Sequence, residues 1–344
     1  MTKWMSLLML GAAALPGQQK PQHEKPMVRL IATGGTIAHV RPGFTPDTRI
    51  TGHELLESIP QLGEYARIEV EEFSKIGSGD FSTTMLVALA KRVNEIFAKE
   101  PGVNAVVVSI GSNALEEVAY FLDLTVKSDK PVILTAAQRL HGTLGADGDM
   151  NLLDAVRVAV DPQTRGMGVL GVVNDEIHAA RDVRKNISHR VDAWNSGDVG
   201  DLGLVDKDRV SYYRRTIRKH TTESEFDVSG LTDLPKVYIL YSYVGADAVL
   251  VDAAVKEGHA KGIVMAAFPT GTGAPDQANA LLKVAAAGIP VVDSQRGGRG
   301  RPANRYPEFI DGDNLTPQQA RLLLMLALTK TSDKKSIEKM FQVY

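Results

Sequence analysis

From residue 27 onward, short apolar runs alternate with longer segments whose apolar residues recur every three or four positions. Residues 27–32 form an apolar-rich run bounded by Pro26 and Gly34, which predicts a strand. Residues 103–110 are a nearly continuous β-branched run, and 132–136 and 169–173 are shorter ones; such runs suit strands buried on both faces. At 68–73 apolar and acidic residues alternate, predicting a half-exposed edge strand. Between these, 82–99 places Leu86, Leu89, Val93, Ile96 and Phe97 on one helical face, and helices are expected at 113–126 and 152–160. Strands separated by helices predict parallel βαβ units, hence an α/β fold with a larger, doubly wound, mainly parallel sheet in the N-terminal part.

The rhythm stops at 214–235, a charged stretch without periodicity that ends in Asp233-Leu234-Pro235 and reads as a linker. It resumes with strands at 237–241, 262–266 and 290–293, helices at 246–256 and 275–287, and terminal helices at 317–329 and 336–342. Thr316 is the expected N-cap of the first terminal helix, with Pro317 at its first position. The expected division is therefore a leader and spacer over 1–25, a domain over 26–213, the linker, and a smaller C-terminal α/β domain over 236–344.

The leader carries Lys3, an apolar stretch over 5–15 and the small residues Ala12-Ala13-Ala14, which predicts a signal peptide cleaved near residue 14 and a periplasmic or secreted protein. No other segment is apolar and long enough to span a bilayer, so no membrane association is expected after cleavage. A net charge of −2 gives no electrostatic reason to expect a nucleic-acid partner, and the tract Arg296-Gly297-Gly298-Arg299-Gly300-Arg301 is a single short copy. The absence of cysteine excludes thiolate catalysis, and the eight histidines show no paired ligand spacing, so no metal or other cofactor is expected.

Two hydroxyl-bearing turns carry the candidate chemistry. Thr36 follows the first strand through Gly34-Gly35, and Ser112 follows the third through Gly111. In a doubly wound sheet, ligands sit beyond the carboxyl ends of the strands where the strand order reverses. If the first and third strands are neighbours there, the two hydroxyls face one crevice, each beside a helix N-terminus. Gly34-Gly35-Thr36 lacks the three-glycine dinucleotide spacing and the P-loop lysine, which argues against a nucleotide. Ser112 alone reads equally well as a helix cap.

Residues 31–38 resemble the first signature of the bacterial L-asparaginase and glutaminase-asparaginase family, and 116–126 resemble the helix after its second signature. The likeness continues through Ala146-Asp147-Gly148, Asn174-Asp175-Glu176-Ile177-His178, Arg181-Asp182-Val183-Arg184-Lys185, Arg218-Lys219-His220-Thr221 and Phe226-Asp227-Val228-Ser229. The resemblance implies a hydrolase of linear amides acting on a small molecule, with Thr36 as nucleophile forming an acyl-enzyme, Lys185 assisting proton transfer and Ser112 as a second hydroxyl. It further implies substrate contacts at Ser78, Gly79, Asn113 and Ala137. A homotetramer, built as a dimer of dimers with sites completed across subunits, follows from the same likeness.

The sequence also departs from that pattern. Gly111-Ser112-Asn113-Ala114 stands where the family has glycine–threonine–aspartate–threonine, so an amide replaces the carboxylate that holds the substrate's α-ammonium. Phe44 stands near the position of a loop tyrosine, and Gly245 where a neighbouring subunit's asparagine is expected. The neighbour's acidic residue is missing, and Arg296, Arg299, Arg301 and Arg305 crowd its region. These departures predict specificity shifted away from free L-asparagine, toward substrates whose α-ammonium is absent or blocked. Without a carboxylate partner, Lys185 is expected to titrate lower and serve better as a neutral base. An ordinary L-asparaginase/glutaminase and a non-catalytic periplasmic small-molecule-binding protein are the alternatives.

Overall fold

The computed structural model of the chain describes residues 24–40, 48–303 and 305–344. The predicted signal peptide and Phe44 lie outside these residues.

Strands β1 (Met27–Gly34), β2 (Arg67–Ile76), β3 (Val103–Ser109), β4 (Val132–Thr135) and β5 (Val169–Val173) run parallel. Helices α1 (Gly52–Glu57), α2 (Leu62–Tyr65), α3 (Thr83–Lys99), α4 (Leu115–Thr125) and α5 (Gly148–Val160) lie among them. The burial follows the residue pattern: β3, the nearly continuous β-branched run, is buried at every position but Asn104, whereas β2 alternates at the sheet edge. The sheet continues beyond the predicted strands through β6 (Glu176–Ala179), and past the small hairpin of β7 (Arg184–Lys185) and β8 (Trp194–Asn195), through β9 (Gly203–Val205) and β10 (Val210–Tyr212). Its order is β10-β9-β6-β5-β4-β3-β1-β2, with β6, β9 and β10 joined antiparallel. The β5–β6 reversal is a two-residue turn, Asn174-Asp175, with φ of 54° and 63°. Asparagine and aspartate tolerate that left-handed conformation better than other L residues, which makes the pair a hairpin signal.

The second sheet is all parallel: β11 (Val237–Tyr241), β12 (Gly262–Ala267), β13 (Val291–Gln295) and the short β14 (Ile310–Asp311). Around it lie α6 (Val249–Lys256), α7 (Pro275–Ala286), α8 (Pro317–Leu328) and α9 (Lys334–Val343). Thr316 caps α8 as its sequence predicts, accepting from Gln319 N in a capping box, with Pro317 behind it. One apolar cluster runs from the face of the large sheet through α4 and α8 to the small sheet, joining Phe121, Leu124, Leu322, Leu326, Val264 and Val292. The stretch 214–235 contains no strand or α-helix, yet Phe226 and Val228 are buried in that same cluster. Arg181 adds polar ties, donating to Tyr344 O and Asn314 Oδ1 and pairing with Asp313.

Asp293 on β13 is the costliest polar group in the smaller sheet. Its carboxylate is fully buried, and among the described residues neither oxygen has a hydrogen-bond partner; burial, reinforced by Asp311 alongside, pushes it up to about 7. The folded protein therefore keeps a proton that the unfolded chain releases near pH 4, and stability falls as pH rises from about 4 to 7. Asp293→Asn removes the charge at constant size. The variant is expected to gain roughly 1–3 kcal/mol of stability at pH 8 and nothing at pH 4. Urea unfolding at both pH values measures this, and equal effects at both would contradict it.

Candidate functional site

The strand order reverses between β1 and β3, which are direct neighbours, and the loops leaving β1, β2 and β3 meet there. Glycine makes the meeting possible. A Cβ on Gly35 would collide with the Gly111 backbone, and one on Gly111 would lie 2.5 Å from Ser78 Cβ. One on Gly34 would lie 2.6 Å from Ile76 O. Gly34 and Gly35 also have φ of 99° and 83°, a region open mainly to glycine. Three turns thus pack backbone against backbone and hold Thr36, Ser78 and Ser112 on one wall. Thr33 Oγ1 donating to Ser109 O at 2.9 Å and Ser74 Oγ to Thr33 O at 2.9 Å brace the strand ends behind them.

The wall belongs to a cavity of about 780 Å³ lined by Thr36, Ser78, Gly79, Ser112, Asn113 and Lys185, together with Arg49, Asp80, Gln138 and residues 186–189. Ala137 does not line it: it is fully buried among Ile37 and Leu152, and the next residue, Gln138, faces the cavity instead. The helix-terminus expectation also holds on one side only. Thr36 opens a single 3₁₀ turn, Thr36–Ala38, rather than a helix, while α4 begins at Leu115, three residues after Ser112.

Lys185 is delivered by β7. Its backbone N donates to Glu116 Oε2 at 2.9 Å, and the β7–β8 pairing sets it opposite Trp194, whose ring centroid lies 5.8 Å from Nζ. From there Nζ lies 2.8 Å from both Ser112 Oγ and Asn113 Oδ1. Burial lowers the Lys185 ammonium below its ordinary range, and Glu116 opposes that shift. Glu116 is itself held above the usual carboxylate range by burial. Asn113 accepts a bond from the lysine without supplying a charge, so Glu116, behind the strand, is the carboxylate coupled to it.

The sequence pattern gave no signal for Arg49, which has no apolar periodicity or glycine turn beside it. Gln138 had one, since it follows the end of β4 at the same edge as the predicted hydroxyls. The arginines of the second sheet do not line this cavity within one chain. Arg296 lies over the Phe268 ring at 4.7 Å and donates to Ser242 O, Arg299 approaches Asp198, and Arg301 pairs with Asp311. Gly245 has φ of 79°, so an asparagine there would be strained. Among the described residues, Glu176, His178 and Asp201 bring donor atoms within 4.8 Å of one another, a spacing compatible with a metal ion. They lie outside the cavity lining, and His178 Nδ1 is engaged by Asp201 and Ser196.

Comparison with known proteins agrees with this architecture. Residues 27–218 match the family model described as "Asparaginase, N-terminal", and 236–341 match "Glutaminase/Asparaginase C-terminal domain". The chain is 40% identical over 328 residues to L-asparaginase 2 of Bacillus subtilis, covering 93% of this chain and 87% of the relative. It is 37% identical to a probable periplasmic L-asparaginase of Haemophilus influenzae, covering 92% and 93% of the two chains. The crystal structure of a probable cytoplasmic L-asparaginase from Campylobacter jejuni superposes with a TM-score of 0.87 at 40% identity, covering 93% of this chain and all of that one. The chain belongs to the asparaginase family, whose members are hydrolases of linear amides.

Proposed function

We propose that this cavity hydrolyses a C–N amide bond through an acyl-enzyme on Thr36, and that its substrate carries no free α-ammonium. The observation that supports this best is Lys185 Nζ at 2.8 Å from Ser112 Oγ, in the cavity that Thr36 also lines. In the proposed sequence Thr36 Oγ attacks the amide carbon while its proton passes to neutral Lys185, with Ser112 as relay. The protonated lysine returns a proton to the departing nitrogen, and a water then attacks the ester and restores the threonine. Asn113 holds the lysine by a hydrogen bond but offers no anion to an ammonium, which favours altered specificity over ordinary asparaginase activity. The direct lysine–Ser112 contact favours one competing assignment, with Ser112 as nucleophile.

The proposal extends to export, as the N-terminal leader suggests, and to a homotetramer. The solvent-facing Tyr241, Tyr243, Val244, Val249 and Leu250, crowded into one short segment of the smaller sheet's periphery, support burial of that segment by another subunit.

Ammonia release from L-asparagine, L-glutamine, succinamate and N-acetyl-L-asparagine tests the substrate reading. The latter two are expected to be turned over with kcat/KM about 100-fold or more above free asparagine, the worth of lost charge-assisted contacts. Efficient asparagine hydrolysis with neither of them used would overturn it. Thr36→Ala should lose about 1,000-fold or more in kcat, and mass spectrometry of acid-quenched enzyme should find the acyl group on Thr36. An acyl group on Ser112 would assign the nucleophile there.

The lysine gives a pH signature. Activity requires neutral Lys185, so the rate falls as pH drops through its lowered pKa. Asn113→Asp places an anion beside the ammonium and raises that pKa, so the acidic limb of the kcat/KM profile is expected to move to higher pH. An unmoved limb would remove Lys185 from the role of base.

A further inference from the structure

Among the described residues, Arg49 is a buried charge that forms no ion pair. It is 6% exposed, yet it lines the cavity that contains Thr36 and Ser78. A backbone bridge joins it to His39, and hydrogen bonds from Val40 N to Thr48 O at 2.9 Å and from Ile50 N to Ala38 O at 2.8 Å clamp it to the Thr36 turn. Among the described residues its guanidinium makes one hydrogen bond, from Nη1 to Lys75 O at 3.2 Å, and Nε makes none. Nη2 borders Gly77, the residue before Ser78, and Asp80 Oδ2 borders the same glycine without reaching ion-pair distance of Arg49. No carboxylate among the described residues forms an ion pair with it. Asp80, the acidic residue lining the cavity, instead accepts from Gly77 N at 3.3 Å. His39 offers no compensation, because burial and Arg49 itself lower its pKa and keep it neutral.

A guanidinium carries five donors and no acceptor, and one so buried is ordinarily matched to a carboxylate or phosphate. Here the missing partner faces the substrate space. We propose that Arg49 is the specificity-determining cation of the cavity, and that the substrate is an ω-amide bearing a carboxylate that Arg49 and Ser78 hold. This rests on the amidase reading above and narrows its substrate class: monoamides of dicarboxylic acids, or N-acylated amino acid amides, that enter as net anions. Arg49 supplies a fixed positive charge at the carboxylate end, and Lys185 works at the amide end. With an amide at position 113, a free ammonium meets the Arg49 guanidinium and finds no carboxylate beside Lys185 and Ser112, Asp80 being turned back to Gly77 N.

Two measurements on the full-length enzyme separate this inference from the reading it rests on. The first is the ratio of kcat/KM for succinamate to that for butanamide, which lacks the carboxylate. Arg49→Gln is expected to lower the ratio tenfold or more, and Arg49→Lys, which keeps the charge, by less. The second is calorimetric binding of succinate, which needs no turnover: wild type binds, Arg49→Lys binds more weakly, and Arg49→Gln loses about tenfold or more in affinity. Wild-type enzyme that releases ammonia from no amide defeats the amidase reading, and succinate binding then still decides the role of Arg49. An unchanged ratio with equal succinate affinity in wild type and Arg49→Gln overturns the role of Arg49 and leaves the amidase reading standing. Folding of each variant is checked by its thermal unfolding.

Discussion

The site depends on one steric constraint: the turn after β1 must touch the turn after β3, which must touch the turn after β2. Gly35 lies against Gly111 and Gly111 against Ser78, with no room for a single added carbon at either glycine. Parallel neighbouring strands would otherwise leave a groove between their loops filled by side chains. Removing those side chains brings the hydroxyls of Thr36, Ser78 and Ser112 onto one wall of a common cavity. The strand pairing of β1 with both β2 and β3 is what aligns the three turns, so the core and the site are consequences of the same register.

On that rigid wall the charges are arranged asymmetrically. Lys185 and Arg49 both reach the cavity, Glu116 stays behind the lysine, and Asp80 is exposed at the rim. Burial works on the two cations differently. A lysine responds by giving up its proton more readily, which suits a base; a guanidinium cannot, and so keeps its charge. The same burial therefore favours the neutral form of Lys185, while Arg49 brings guanidinium donors to the same cavity.

Periodicity made the scaffold legible because strands buried on both faces leave nearly continuous apolar runs, as β3 does, and because α3 and α8 carry clear apolar faces. The antiparallel extension was illegible for the opposite reason. β9 and β10 have three residues each, too few for a period, and the Asn174-Asp175 turn follows β5 without a glycine to mark it as a hairpin. Of the residues singled out by glycine turns or a charged motif, Thr36, Ser112 and Lys185 do line one cavity. Arg49 was not readable in the sequence, because its burial comes from contacts with Lys75 and the Gly77 turn, more than twenty residues away, and nothing local marks it. At Ala137 the expectation named the right loop, while the residue lining the cavity is its neighbour Gln138.

Asn113 ties these points together. An aspartate there would attract a substrate ammonium, but it would also stabilise the charged form of a lysine 2.8 Å away. The amide separates the two effects: Lys185 keeps its hydrogen bond and its orientation toward Ser112 while losing an electrostatic reason to stay protonated. Glu116 restores part of that charge stabilisation, but it contacts the lysine's backbone N–H, and burial weakens it as an anion. A drifting, non-functional site would have no reason to retain this arrangement of donors and acceptors around the lysine. In the proposed reading, the amide at position 113 and the Arg49 guanidinium act together, exchanging where the cavity holds its fixed charge.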